Sequence, residues 1–282
     1  MNILDGKQTS LTISEKIKKE VGEYISSGKR APRVDILLVG NDFGSQKYVE
    51  MKSKKAQELG IQCEVHRFEE DTQEEEILRL IEEINGNSEI DGVMVQLPLP
   101  KHLNEENILE KILPSKDVDG LTSVNLGKLF KNNPSAIAPA TAKGILELLR
   151  EYKIEIDGKS VVVIGRSDIV GLPIAAMLQN ENATVTICHS HTKDLKEVCK
   201  RADILVVGIG KPEYIDMEYV REGSVVIDVG TNRDSEGKLV GDVNFDSVRD
   251  IVEYITPVPG GVGPMTICCL LSNLLDAYKK NV

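Results

Sequence analysis

Apolar residues near the start of the chain recur at a helical spacing: Ile13, Ile17, Val21 and Ile25 stand four apart and mark one buried face. Short apolar runs follow at intervals. Val34–Val39, Ile61–Phe68 and Asp91–Leu97 read as strands, and Ser45–Leu59 and Glu74–Ile84 between them read as helices. This alternation predicts a parallel sheet covered by helices, because parallel neighbours need a crossover long enough to hold one. The rhythm loosens from Leu121 through Asn132-Asn133-Pro134-Ser135, and Ala142–Tyr152 then reads as a helix leading to a turn at Asp157-Gly158. Beyond it the alternation resumes with Val161–Ile164, Thr184–Cys188, Asp203–Val207 and Ser224–Val229. A loop rich in glycine and proline, Thr256 to Pro264, precedes a last helix over Met265–Tyr278, suited to packing back on the first domain. The fold class predicted is α/β, in two domains.

Length and charge restrict the partners. A chain of 282 residues can hold two cores. Its 34 basic and 45 acidic residues give a net charge of −11, and no local basic run offsets it, so nucleic acid and anionic membrane surfaces are not expected partners. The five cysteines are odd in number and include no C-x-x-C pair, which argues against a disulfide framework and a zinc ribbon. No metal site is expected. The N-terminus lacks a signal-peptide layout and no apolar run approaches the roughly 18 residues of a membrane span, so a cytoplasmic location is expected.

The strand run Val161–Ile164 ends at Gly165, and the residues after it can open a helix whose free N–H groups would face a pyrophosphate. The spacing is not G-x-G-x-x-G: Ser167 occupies the second glycine position and Gly171 arrives one residue late. The same residues also suit an ordinary tight strand-to-helix turn. At the end of the next strand, where an NAD site commonly offers Asp or Glu to the ribose, the chain has His189, Ser190 and His191. With Arg166 nearby, a 2′-phosphate would meet a guanidinium and a hydroxyl, so NADP is expected over NAD.

In the first half, Tyr48 and Lys52 are one turn apart on one helix and project from the same side. A lysine partly desolvated beside a phenol can lose enough proton affinity to act as an acid or base near neutral pH. Because Ser53, Lys54 and Lys55 follow, a solvated helix face is the plain alternative. Gln96 stands at the carboxyl end of an apolar strand, where α/β ligands sit. Asp119, in Lys116-Asp117-Val118-Asp119-Gly120, can pair with an amidine-like edge of a heterocycle through two hydrogen bonds, whereas Asp117 can serve to cap or turn the chain.

These residues resemble, in order along nearly the whole chain, the bifunctional methylenetetrahydrofolate dehydrogenase/methenyltetrahydrofolate cyclohydrolase family. The resemblance rests on Tyr48 to Lys52, Val95 to Pro100, Lys116 to Thr122, Gly165-Arg166-Ser167 to Pro173, Val226 to Gly230, Gly241-Asp242-Val243 and Ile255 to Thr266. It implies a folate-binding catalytic domain over 1–138 and 268–282, a Rossmann-like NAD(P)-binding domain over 139–267, an active-site cleft between them, and a homodimer. It implies Lys52 as the acid/base group, Tyr48 and Gln96 holding it and the substrate, and Asp119 on the pterin ring. Leu97, Pro98, Pro257, Gly260, Gly261 and Pro264 are implied beside the folate. Gly165, Arg166, Ser167, Ile169, Val170, Gly171, Pro173, Ser190, Gly208 and Thr231 are implied on NADP. Three positions depart from the family pattern: Pro139-Ala140-Thr141-Ala142 replaces Pro-Cys-Thr-Pro, Thr231 replaces an apolar residue, and His191 stands where a basic residue is frequent.

Overall fold

The computed structural model describes residues 1–282. The chain begins β1 (Asn2–Ile3), α1 (Gly6–Ser26), β2 (Arg33–Val39), α2 (Phe43–Glu58), β3 (Gln62–Phe68), α3 (Glu74–Gly86), β4 (Gly92–Val95), α4 (Glu105–Glu110), α5 (Ser123–Phe130) and α6 (Ala140–Glu151). It continues β5 (Ser160–Ile164), α7 (Gly171–Asn180), β6 (Thr184–Cys188), α8 (Leu195–Cys199), β7 (Ile204–Val207), β8 (Val225–Asp228), β9 (Asn232–Arg233), β10 (Leu239–Val240), α9 (Phe245–Val248), β11 (Tyr254–Ile255) and α10 (Val262–Tyr278). Two compact units divide it: Met1–Leu11, Leu129–Asn132 and Thr141–Thr266 in one, Thr12–Lys128, Asn133–Ala140 and Ile267–Val282 in the other.

The unit containing Thr12–Lys128 is built on a parallel sheet in the order β3-β2-β4. The central strand is buried at every position from Val34 to Val39, which is why it reads as an apolar run interrupted only by Asp35. One core gathers Ile17 and Val21 of α1, Val34, Ile36 and Leu38 of β2, Val49 and Ala56 of α2, and Leu270, Leu271, Leu274, Leu275 and Tyr278 of α10. Residues 267–278 of the last helix therefore complete the core of this unit. The other face of the sheet is covered by Ile77, Ile81 and Ile84 of α3 with Ile108 of α4.

The second unit carries a six-stranded sheet, β1-β11-β8-β7-β5-β6, in which every pairing is parallel. From β5 the chain steps out to β6, then returns to the other side of β5 to lay down β7. That reversal makes the carboxyl ends of β5 and β7 a topological switch point, the place where open α/β sheets bind ligands. At the N-terminus this division differs from the sequence-based boundaries, since Asn2-Ile3 pairs with Tyr254-Ile255 and carries residues 1–11 into the second unit. Two-residue strands have no periodicity to reveal them. The same holds for the antiparallel hairpin β9-β10, which was not anticipated.

Candidate functional site

In the first unit Asp42 caps α2, accepting from the Ser45 amide at 2.7 Å, and that bond holds its carboxyl below the usual range. Ser45, Val49, Lys52 and Ala56 then form the buried face of the helix. A lysine on that face is unusual. Its side chain is only 6 % exposed, and its ammonium donates to Gln96 Oε1 at 3.0 Å and lies 3.4 Å from Met94 Sδ. The plain alternative, a solvated lysine, is thereby excluded. Tyr48 is half-buried at the flank, with its ring centroid 6.0 Å from Lys52 Nζ.

Gln96 follows directly on β4. Its amide donates to Leu37 O at 2.8 Å, and its side-chain Nε2 donates to Leu97 O at 2.7 Å, so Oε1 is left turned to Lys52. Asp119 completes the charge balance. Burial lowers the proton affinity of Lys52, and the negative charge of Asp119 acts against that. Burial likewise raises the pKa of Asp119, opposed by Lys52. Asp119 retains some open surface, yet the protein around it is dense enough that desolvation is the largest influence on it.

Asp117, two residues before Asp119, shapes the loop that carries it. Its carboxylate accepts from the amides of Gly120 (2.8 Å), Leu121 (3.1 Å) and Thr122 (2.9 Å) and from Asn125 Nδ2 (2.9 Å). Gly120 has φ +76°, and a Cβ there would lie 2.6 Å from the backbone at Ala138 and Pro139, so only glycine fits. Leu97 and Pro98 lie just after Gln96, half-buried and exposed respectively. The sequence reading passed over Ser45. Its hydroxyl is buried on the Lys52 face beside the Asp42 carboxylate, and with the Ser45 amide it helps to hold that carboxyl below its usual range.

In the second unit, β5 ends at Gly165, whose φ of +125° turns the chain sharply. A Cβ there would lie 2.4 Å from Gly208 O at the end of β7, and one on Gly171 would lie 2.4 Å from Gly165 O. Both glycines are thus demanded by close backbone approach at the switch point, and the odd spacing of the motif is a real geometry. Arg166, Ser167, Asp168 and Ile169 are exposed, and their amides have no backbone partner; Val170 N bonds the Ser167 hydroxyl at 3.3 Å. Pro173 is buried in the first turn of α7. Ser190 is exposed just beyond β6, the strand beside β5, in a turn closed by His189 N on Thr192 Oγ1 at 2.9 Å. The donors fit a dinucleotide with an added phosphate: free amides before a helix N-terminus, a guanidinium, hydroxyls, and no carboxylate directly after β6.

Pro257, Gly260, Gly261 and Pro264 belong to this unit, the first three on the loop entering α10 and Pro264 in the first turn of that helix. Gly261 O presses on Gly6, whose Cβ would lie 1.8 Å away, and Gly260 O accepts from Lys7 N at 2.9 Å. Thr231 is exposed at the start of the β9-β10 hairpin. Ala140 and Ala142 are buried in the first turn of α6, which starts without the proline of the family pattern. Elsewhere Asp35, Glu64 and His66 bring ligand atoms within 4.8 Å of one another, but the Arg33 guanidinium already bonds Asp35 at 2.9 Å and Glu64 at 2.6 Å, supplying the cation itself.

A glycine turn at the switch point of one sheet and a desolvated lysine-carboxylate-amide cluster on the other define a two-unit α/β enzyme that joins a dinucleotide to acid/base chemistry. The chain belongs to the tetrahydrofolate dehydrogenase/cyclohydrolase family: the family's catalytic domain matches residues 4–119 and its NAD(P)-binding domain residues 139–282. The bifunctional protein FolD of Ligilactobacillus salivarius is 51% identical over 99% of this chain and 98% of its own length. The crystal structure of the bifunctional FolD dehydrogenase/cyclohydrolase of Campylobacter jejuni superposes with a TM-score of 0.98 at 43% identity, covering 100% of both chains. That of the Trypanosoma brucei dehydrogenase-cyclohydrolase, complexed with NADP and an inhibitor, gives 0.94 at 39% identity over 99% of this chain and 97% of that one. No helix of the chain is long and apolar enough to cross a membrane.

Proposed function

We propose that this protein oxidises 5,10-methylenetetrahydrofolate to 5,10-methenyltetrahydrofolate with NADP and then hydrolyses the product to 10-formyltetrahydrofolate, as a cytoplasmic homodimer. The observation that carries the reading is Lys52, buried yet aimed at Gln96 and balanced by Asp119, in a chain that also holds the Gly165 turn. When bound, NADP accepts the hydride that leaves the bridging methylene carbon. That step needs alignment more than an external base. Asp119 holds the pterin edge, and Gln96 and Tyr48 orient the ring and the Lys52 amine together. Leu97 and Pro98 supply apolar surface beside the folate, and the family resemblance assigns Pro257, Gly260, Gly261 and Pro264 to the same ligand.

Hydrolysis is where Lys52 acts. Water adds to the methenyl carbon, and an amine whose proton affinity burial has lowered can take a proton from that water and return one to the nitrogen released as the adduct collapses. On the coenzyme side, the 166–169 amides and α7 face the pyrophosphate, Arg166 and Ser190 take the 2′-phosphate, and Gly208 and Thr231 line the nicotinamide end. Supplying methylenetetrahydrofolate with NADP or NAD, and following reduced nicotinamide and the methenyl product together, tests the reading. The expected course is reduction favouring NADP, then a methenyl signal that rises and decays. A methenyl product that decays no faster than in buffer would refute the second activity.

A further inference from the structure

Two stretches that carry the family resemblance, Val226 to Gly230 and Gly241 to Val243, have no part in the chemistry above, yet they interlock through two buried aspartates. Asp228 ends β8; its Oδ1 accepts from the amides of Gly230 (2.9 Å) and Asp242 (3.0 Å), and its Oδ2 accepts from Val243 N (2.9 Å). Asp242 is fully buried and turns its own carboxylate the other way. Its Oδ2 accepts from the amides of Ile209 (2.6 Å) and Gly210 (3.1 Å), and its Oδ1 from Lys211 N (2.8 Å) and Asn232 Nδ2 (2.8 Å).

The two glycines are the counterpart of the two carboxylates. A Cβ on Gly241 would lie 1.8 Å from Asp228 Oδ2, and one on Gly230 would lie 2.4 Å from the Asp242 carboxyl carbon. Each aspartate therefore occupies the space a side chain at the other motif would need. The result is a clamp joining the end of β8, the 209–211 loop after β7, and the first residue of the β9-β10 hairpin. Four donors on one carboxylate leave little freedom to any of them, and charge-assisted bonds of this kind are about twice as strong as neutral ones.

The clamped segments flank Gly208 and Thr231 at the carboxyl ends of β7 and β8. We propose that Asp242 is a positioning residue for the coenzyme, holding the 208–211 loop and Asn232 in the arrangement that the nicotinamide end of NADP requires; this rests on the function proposed above. Asp242 touches no reacting atom in this role. It acts by denying the loop its alternative conformations, so its removal should appear in coenzyme binding and leave a step that needs no coenzyme.

Asp242→Asn keeps the size of the side chain but turns an amide donor toward backbone donors. NADP titration should show affinity weakened by about tenfold or more, with KM for NADP rising in parallel. Hydrogen exchange should quicken at the amides of Ile209, Gly210 and Lys211 and stay unchanged at Gly120, Leu121 and Thr122, which Asp117 holds in the other unit. Hydrolysis of supplied methenyltetrahydrofolate, assayed without NADP, should persist. Asn232→Ala, which removes one donor and leaves the carboxylate and its three backbone bonds, should weaken NADP by a smaller factor and serves if Asp242→Asn does not fold. Faster exchange at 209–211 with unchanged NADP affinity would overturn the positioning role, as would unchanged affinity in Asn232→Ala. If the unsubstituted protein hydrolyses the methenyl substrate and binds NADP, such a result leaves the enzyme assignment standing; if it does neither, the assignment itself has failed.

Discussion

The Lys52 site and the Gly165 turn both lie at the carboxyl end of a parallel sheet, but they are made of different material. The first is side chain: an ammonium, a carboxamide and a carboxylate packed where water is scarce, each altering the proton affinity or orientation of the next. The second is backbone, exposed amides at a turn that two glycines allow, with Arg166 and Ser190 at its edge. Proton transfer needs groups whose charge state is poised, and burial provides that. Holding a pyrophosphate needs several donors at fixed spacing and no titration at all, and a main chain provides that better than mobile side chains. Each site therefore fails differently when altered: the first when one functional group is lost, the second when one is added.

Lys52→Met should give the largest effect. It keeps the stem among its apolar neighbours and deletes the amine, so methenyl hydrolysis should fall by about two orders of magnitude or more, the usual contribution of a positioned acid/base group. NADP affinity should stay within a factor of two of the original, because no part of the turn at Gly165 is touched. Paired measurement of methenyl decay and coenzyme titration checks both halves. Retained hydrolysis would remove Lys52 from its role.

Gly171→Ala makes the opposite cut. The added methyl would lie 2.4 Å from Gly165 O and 2.8 Å from Arg166 N, both backbone atoms that cannot swing away. The turn must shift, at a cost of about 1–3 kcal/mol, which should weaken NADP by about tenfold to a hundredfold. Hydrolysis of added methenyltetrahydrofolate should continue. A variant that binds NADP normally would show that the turn is only a connection between β5 and α7.

How much of this contrast was legible in the sequence follows from the same difference in material. Tyr48 and Lys52 share a helix side at a spacing of four, and Gln96 ends an apolar strand, so local periodicity alone placed them as candidates. What periodicity could not tell was that the helix turns Lys52 inward with Ser45, because Lys54 and Lys55 beside it suggest a solvated face. The Gly165 turn was visible as glycines one residue out of register, and its reason, the approach of Gly208 O, depends on a strand order that brings residues 43 apart into contact. The Asp228-Asp242 clamp was invisible for the same cause: apart from Gly230 N and the Asn232 amide, its carboxylates hold amides 14 to 33 residues away, which leaves no local pattern. Asp117 differs, because its amides lie three to five residues ahead, within the short stretch where a cap or turn of the chain was open to it from the sequence.

The smallest effect tests the side-chain site most narrowly. Burial lowers the Lys52 pKa below its ordinary 10.5 while Asp119 works to raise it. Neutralising that carboxylate as Asp119→Asn removes the negative charge that favours the ammonium, so Lys52 should lose its proton at a still lower pH. The sign carries to stability. A lysine whose native pKa is depressed leaves the unfolded chain holding more protons between that value and 10.5, so its contribution to stability is present above 10.5 and lost as pH falls through the native pKa. Asp119→Asn should therefore extend this window at its acid end. Following the Lys52 side chain by heteronuclear NMR as pH is raised, in both proteins, reads the shift directly and without substrate. A titration that moves upward, or not at all, would mean that Asp119 does not balance Lys52 and that the two groups act as separate elements of the site.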